Sequence, residues 1–133
     1  MKKEIINSPK IARSYTATTA HATKARGFVF VTGQVPTKPG MDPRGGREFE
    51  MGTIEEQAVQ VLENIKTILE AAGTSFDNVV KRNMYLTHPG DAQIVVKIME
   101  RYFTSPVAST GIVSGLVPTG ARIEIDVIAT APD

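Results

Sequence analysis

Ile54, Ala58, Val61, Leu62, Ile65, Ile68, Leu69 and Ala72 fall on one stripe at the 3.6-residue period of an α-helix. Thr53-Ile54-Glu55-Glu56 supplies its start as a capping box: the Thr53 hydroxyl can accept from the amide of Glu56, and the Glu56 carboxylate can reach back to the amide of Thr53. Gly73 stands where a left-handed C-terminal cap is expected. A second stripe, Ile94, Val95, Ile98, Met99, Tyr102 and Phe103, follows Pro89-Gly90-Asp91, with Asp91 as its expected N-cap. It stops before Ser105-Pro106, because the residue preceding a proline disfavours helix. Each stripe needs an apolar surface to pack against, and the rest of the chain must provide it.

Strands are the source. Phe28-Val29-Phe30-Val31-Thr32 lies between Gly27 and Gly33; Val79 to Leu86 and Val107 to Val113 have similar composition. After a turn region from Ser114 to Gly120, residues 122–129 alternate, with Arg122, Glu124 and Asp126 on one side and Ile123, Ile125 and Val127 on the other. The predicted order is strand, helix, strand, helix, strand, strand, an α+β subunit with a sheet and two helices. Two helices cover one face of such a sheet. Apolar residues of both parities, as in Phe28, Val29, Phe30 and Val31, imply a second buried face and therefore an oligomer. The segment from Pro36 to Gly52 carries Pro36, Pro39, Gly40, Pro43, Gly45 and Gly46, with Lys38, Arg44 and Arg47, and reads as a mobile surface loop.

The 133 residues suit a single domain, 1–133. A formal net charge of +1 lacks the basic footprint of phosphate neutralisation, so nucleic acid is not an expected partner. The absence of Cys rules out disulfides and thiolate chemistry. No apolar run of signal-peptide or membrane-spanning length follows the basic start, which makes a cytoplasmic location the default expectation and a membrane partner unexpected. Phosphate-loop and dinucleotide fingerprints are missing. His21 and His88 lack metal-site spacing. Ser114, in Gly111-Ile112-Val113-Ser114-Gly115, sits at the wrong position for a nucleophile elbow and reads as a loop residue.

Taken together, several segments resemble the RidA/YjgF family, also labelled endoribonuclease L-PSP. They are Phe30-Val31-Thr32-Gly33-Gln34-Val35-Pro36; Ile54-Glu55-Glu56-Gln57 running to Leu62-Glu63-Asn64-Ile65-Lys66 and Leu69-Glu70-Ala71-Ala72-Gly73; and Asp77-Asn78-Val79-Val80-Lys81 with Tyr85-Leu86-Thr87. Pro106, Ser109-Thr110, Leu116, Pro118 and Ile123 to Ala129 complete the match, which runs from about residue 19. The resemblance implies a chorismate-mutase-like subunit, a homotrimer whose sheets close a β-barrel with helices outside, and small-molecule sites in clefts between subunits. It also implies hydrolysis of reactive imines or enamines such as 2-aminoacrylate, with no metal or organic cofactor.

The chain departs from that pattern at the substrate clamp. Where deaminating members have Arg in Pro-Ala-Arg-Ser, this chain reads Pro106-Val107-Ala108-Ser109, so Ala108 replaces a bidentate carboxylate binder. The Gly-Pro-Tyr segment is absent, and an ungapped count places Thr19 at the tyrosine. Val96 stands where Asn is common. Glu124 is retained, matching the glutamate that positions or activates the attacking water, and Gly33 keeps an amide that can donate to an anion. Glu124 is therefore the candidate catalytic residue, and Gly33, Ala108, Thr110, Thr19 and Arg122 are candidate ligand-binding residues. Arg13, Arg44 and Arg47, in flexible segments able to cover a cleft, and Arg82, inside an apolar strand, are further cations considered as replacements for the missing clamp; surface roles are the expectation for all of them. Three readings stay open: a hydrolase of C–N bonds with weak or no 2-aminoacrylate activity, a non-catalytic trimer binding a metabolite or protein, and, last, an RNA-cleaving protein.

Overall fold

The computed structural model describes residues 2–42 and 52–132. Six strands form one mixed sheet: β1 (Glu4–Ile6), β2 (Ala22–Ala25), β3 (Phe28–Gln34), β4 (Val79–Leu86), β5 (Ala108–Val113) and β6 (Ile123–Thr130). Their order is β1-β2-β3-β6-β4-β5, and only the β4–β5 pair is parallel. Helices α1 (Ile54–Ala71) and α2 (Ala92–Met99) supply the second layer. No described helix is long and apolar enough to cross a membrane.

The α1 boundaries follow from the local chemistry read in the sequence. Glu56 N donates to Thr53 Oγ1 and Thr53 N donates to Glu56 Oε1, both at 3.2 Å, completing the capping box. At the other end Gly73 adopts φ +79°, while Thr74 N donates to Leu69 O and Gly73 N to Glu70 O, a Schellman termination. The second helix is shorter than its apolar stripe. It ends at Met99, and the turn beyond it packs Tyr102 and Phe103 edge-on against Phe76, with ring centroids 5.4 and 4.9 Å away.

Strands β1 and β2 are additions to the predicted order. Ala22-Thr23-Lys24-Ala25 has no hydrophobic alternation to reveal it. It is held by backbone pairing to β3 across Arg26 and Gly27, both at positive φ, the two-residue hairpin geometry whose twist matches the strands.

The two faces of the sheet differ. Val29, Val31, Ile123, Ile125, Val127 and Ala129 are at most 5% exposed and pack with Val61, Leu62, Ile65, Ile68 and Leu69 of α1. Each fully buried aliphatic side chain of this kind contributes about 1.5–3 kcal/mol. Arg82 shares this side through its register with Val127. Its guanidinium lies 4.6 Å from the Phe103 ring centre and donates through Nε to Ser109 Oγ, which explains a cation inside an apolar strand. On the opposite face Phe28, Phe30 and Ile112 remain 42–47% exposed beside Glu124, Asp126, Asn83 and Lys81. Of the 36–52 segment, residues 43–51, including Arg44 and Arg47, lie outside the described residues.

Candidate functional site

Glu124 points from β6 onto the open face, as the alternation around it requires. The β3–β6 register slips between Val31 and Gln34, a bulge that carries Gly33 over this side chain. A Cβ built on Gly33 would collide with the Glu124 carboxylate, its Cδ lying 3.1 Å from that position. The missing side chain at Gly33 thus gives the carboxylate its seat. Burial raises the Glu124 carboxyl above the ordinary glutamate range, and the negative charge of Asp126 raises it further. Among the described residues no hydrogen bond to that carboxylate occurs and no cation pairs with it. The result is a half-buried, unneutralised acid on the wall of a cavity of about 200 Å³. That volume is room for roughly six waters, so it fits a small metabolite.

Two buried polar side chains of α1 fix the surrounding loops. Asn64 Nδ2 donates to Thr37 O at 2.9 Å and holds the segment after β3 against the helix. Gln57 Nε2 donates to Gly120 O, and its Oε1 accepts from Arg122 N at 2.8 Å, fastening the β5–β6 connection. The cavity walls at Thr37, Val35, Val117 and Pro118 belong to these two connections. The third wall is the irregular segment between β1 and β2. His21, 4% exposed, organises it: Ser8 N donates to Nδ1 at 3.0 Å, Nε2 donates to Ala12 O at 2.9 Å, and Asn7 Oδ1 accepts from His21 N. With Nδ1 accepting, Nε2 must carry the hydrogen, and both ring nitrogens serve the backbone.

Of the residues singled out in the sequence, Glu124, Gly33 and Thr19 line this cavity together. Ala108 and Thr110 share the open face but sit on β5, two strands from β6, roughly 10 Å away at ordinary strand spacing. Thr110 Oγ1 accepts from Lys81 Nζ at 3.0 Å. Arg122 is engaged elsewhere: its Nη2 and Nε donate to Asp91 at 2.7–3.1 Å in a forked ion pair. That pairing also corrects the role expected of Asp91, which occupies the N-cap position of α2 without a side-chain capping bond. Ser14, Tyr15 and Gln34, which also line the cavity, are not singled out as site residues by the sequence; Arg13 is exposed, as expected, and lines the cavity as well. Tyr15 therefore lines the same cavity as Thr19, the residue that the ungapped count places at the tyrosine. Among the described residues no three His, Cys, Asp or Glu are grouped to hold a metal ion.

The family model for endoribonuclease L-PSP matches residues 6–131, a span that includes the irregular wall between β1 and β2. A RutC family protein of Pyrococcus horikoshii is 39% identical over 131 residues, covering 96% of this chain and 97% of its own. The human 2-iminobutanoate/2-iminopropanoate deaminase is 39% identical over 103 residues, covering 76% of this chain and 71% of its own. The crystal structure of a putative endoribonuclease from Thermotoga maritima superposes with a TM-score of 0.87 at 32% identity, covering all of both chains. With an α+β sheet-and-helix subunit shared with the Thermotoga structure, the chain belongs to the RidA/YjgF family, the family described as endoribonuclease L-PSP.

Proposed function

We propose that the protein hydrolyses a small imine or enamine to a carbonyl compound and ammonia, at a site completed where copies of the chain meet. The observation that carries this reading is the Glu124 carboxylate: half-buried, raised above its ordinary range, unpaired and facing a cavity of metabolite size. A group titrating closer to neutrality transfers protons in both directions more readily. Water adds to the imine carbon as Glu124 takes its proton. Nitrogen receives a proton, and the resulting carbinolamine collapses to the carbonyl with departure of ammonia. The chemistry parallels the name of the human relative, a deaminase of 2-imino acids.

The subunit-interface part of the proposal rests on the exposed apolar residues of the open face and on the separation of β5 from Glu124. Edge strand β5 is exposed along its whole length. A neighbour's β5 can bring Ala108 and Thr110 to the cavity that this chain's own β5 does not reach. A homotrimer closing these faces into a barrel is the arrangement the family resemblance implies.

Ala108 leaves a second reading open: a trimer that binds a metabolite or protein without turning it over. Both are tested by generating 2-aminoacrylate in situ and following 2-oxo acid release above the spontaneous rate. Loss of a charge-assisted pair costs about 1.5–3 kcal/mol, so turnover roughly tenfold to over a hundredfold below an arginine-bearing relative is expected. A rate equal to that relative contradicts the expected effect of Ala108. No acceleration with any of a panel of imines leaves the binding reading in its place.

A further inference from the structure

We infer that Arg13 is the anion-recognising group of this cavity, taking a ligand carboxylate in place of the carboxylate of Asp42. The inference deepens the reading of the Glu124 cavity as a ligand site and rests on it.

Arg13 lines the cavity and is its one Lys or Arg among the described residues. Its Nη2 donates to Asp42 Oδ1 at 2.9 Å, a single contact of a group with five N–H donors. The remaining donors have no partner among the described residues. The two side chains are 51% and 54% exposed, and ion pairs of that exposure contribute little to stability. An incoming carboxylate can therefore exchange with Asp42 at small cost and, through two parallel N–H···O bonds, gain the forked geometry that Asp42 does not use.

One neighbour favours a ligand oxygen at this end of the cavity, and a second leaves Arg13 available. Ser14, adjacent in sequence and on the same wall, has a buried Oγ with no hydrogen-bond partner. A buried hydroxyl of this kind is costly until a ligand oxygen supplies the bond. Glu124 forms no ion pair with Arg13, so the two opposite charges do not cancel each other across the cavity. A ligand carrying a carboxylate and a hydrolysable C=N group meets a cation for the first and a proton-transfer group for the second. Arg13 belongs to the irregular wall, whereas Ala108 is on β5. The anion is then held in a different place relative to Glu124 from that implied by an arginine at position 108.

The test uses the full chain with pyruvate and its uncharged analogue pyruvamide, at constant ionic strength. Backbone amide shifts of Gly33 and Tyr15 report binding. Pyruvate should shift both resonances in the wild type. Arg13→Gln should weaken pyruvate about tenfold to a hundredfold while leaving pyruvamide within about twofold. Asp42→Asn, which removes the competing carboxylate, should tighten pyruvate; unchanged or weaker binding contradicts the exchange. Pyruvate binding by Arg13→Gln as tight as wild type, with the same Gly33 shift, overturns the role of Arg13 and leaves the cavity as the ligand site. If neither compound shifts Gly33 or Tyr15 in the wild type, the cavity reading fails together with the inference.

Discussion

Glu124 and Ile125 are neighbours on one strand and belong to different problems. Ile125 faces α1 and is fully buried within the hydrophobic core. Glu124 faces the other way, half-buried against Gly33, with no cation paired to it among the described residues. The same contrast runs across the whole sheet. The helix-side face is a finished core, whereas the opposite face leaves Phe28, Phe30 and Ile112 partly in water beside acids and a lysine. One face makes the subunit fold. The other is where, in the function proposed, a partner and a ligand would add what the single chain lacks.

Substitutions at these two positions should separate cleanly. Glu124→Gln keeps shape and removes the proton-transfer group. With a substrate in hand, turnover should fall by about a hundredfold to ten-thousandfold, with little change in melting temperature. A variant retaining full turnover would remove Glu124 from the chemistry. Strong destabilisation of the assembly would instead make Glu124 an interface residue.

Ile125→Ala should do the converse. Emptying a fully buried site costs about 2–5 kcal/mol, seen as a lower urea midpoint, while the folded fraction keeps its turnover. Phe30→Ala, on the open face, should cost less in subunit stability and show mainly as weaker association. Equal losses of subunit stability from both would contradict the difference drawn between the faces.

The smallest expected effect is electrostatic. The folded Glu124 holds its proton to higher pH than an unfolded glutamate does. As pH rises from the ordinary glutamate range through the raised folded value, the unfolded chain releases this proton first, and this residue's contribution to stability declines. At half burial the effect should stay below about 1 kcal/mol. Glu124→Gln should therefore gain stability relative to wild type as pH rises through that window. A relative loss would show that the carboxylate is stabilised by a partner.

How far the sequence reached depended on whether a signal was local. The Thr53–Glu56 box and Gly73 cap act within a few residues, and both are found as read. The β6 alternation is found residue by residue. Strands β1 and β2 escaped because short, mixed segments are fixed by pairing rather than by composition. Glu124 was legible from alternation and resemblance together. Ser14 and Tyr15 were not, because their wall is set by His21 contacts to Ser8 and Ala12, 13 and 9 residues away. Gln57 and Asn64 were readable as helix residues but not as anchors, since polar residues outside the apolar stripe look like solvent-facing ones until their loop partners are known.

Completion of the open face by further copies of the chain underlies both the proposed site and the placement of Ala108 and Thr110. Sedimentation equilibrium of the wild-type protein at micromolar concentration measures this directly. Three times the mass of the chain is predicted, with dissociation promoted by Phe30→Ala. A wild-type monomer under those conditions would contradict the account, because the apolar open face would then be stable in water and the β5 of a neighbour could not contribute to the site.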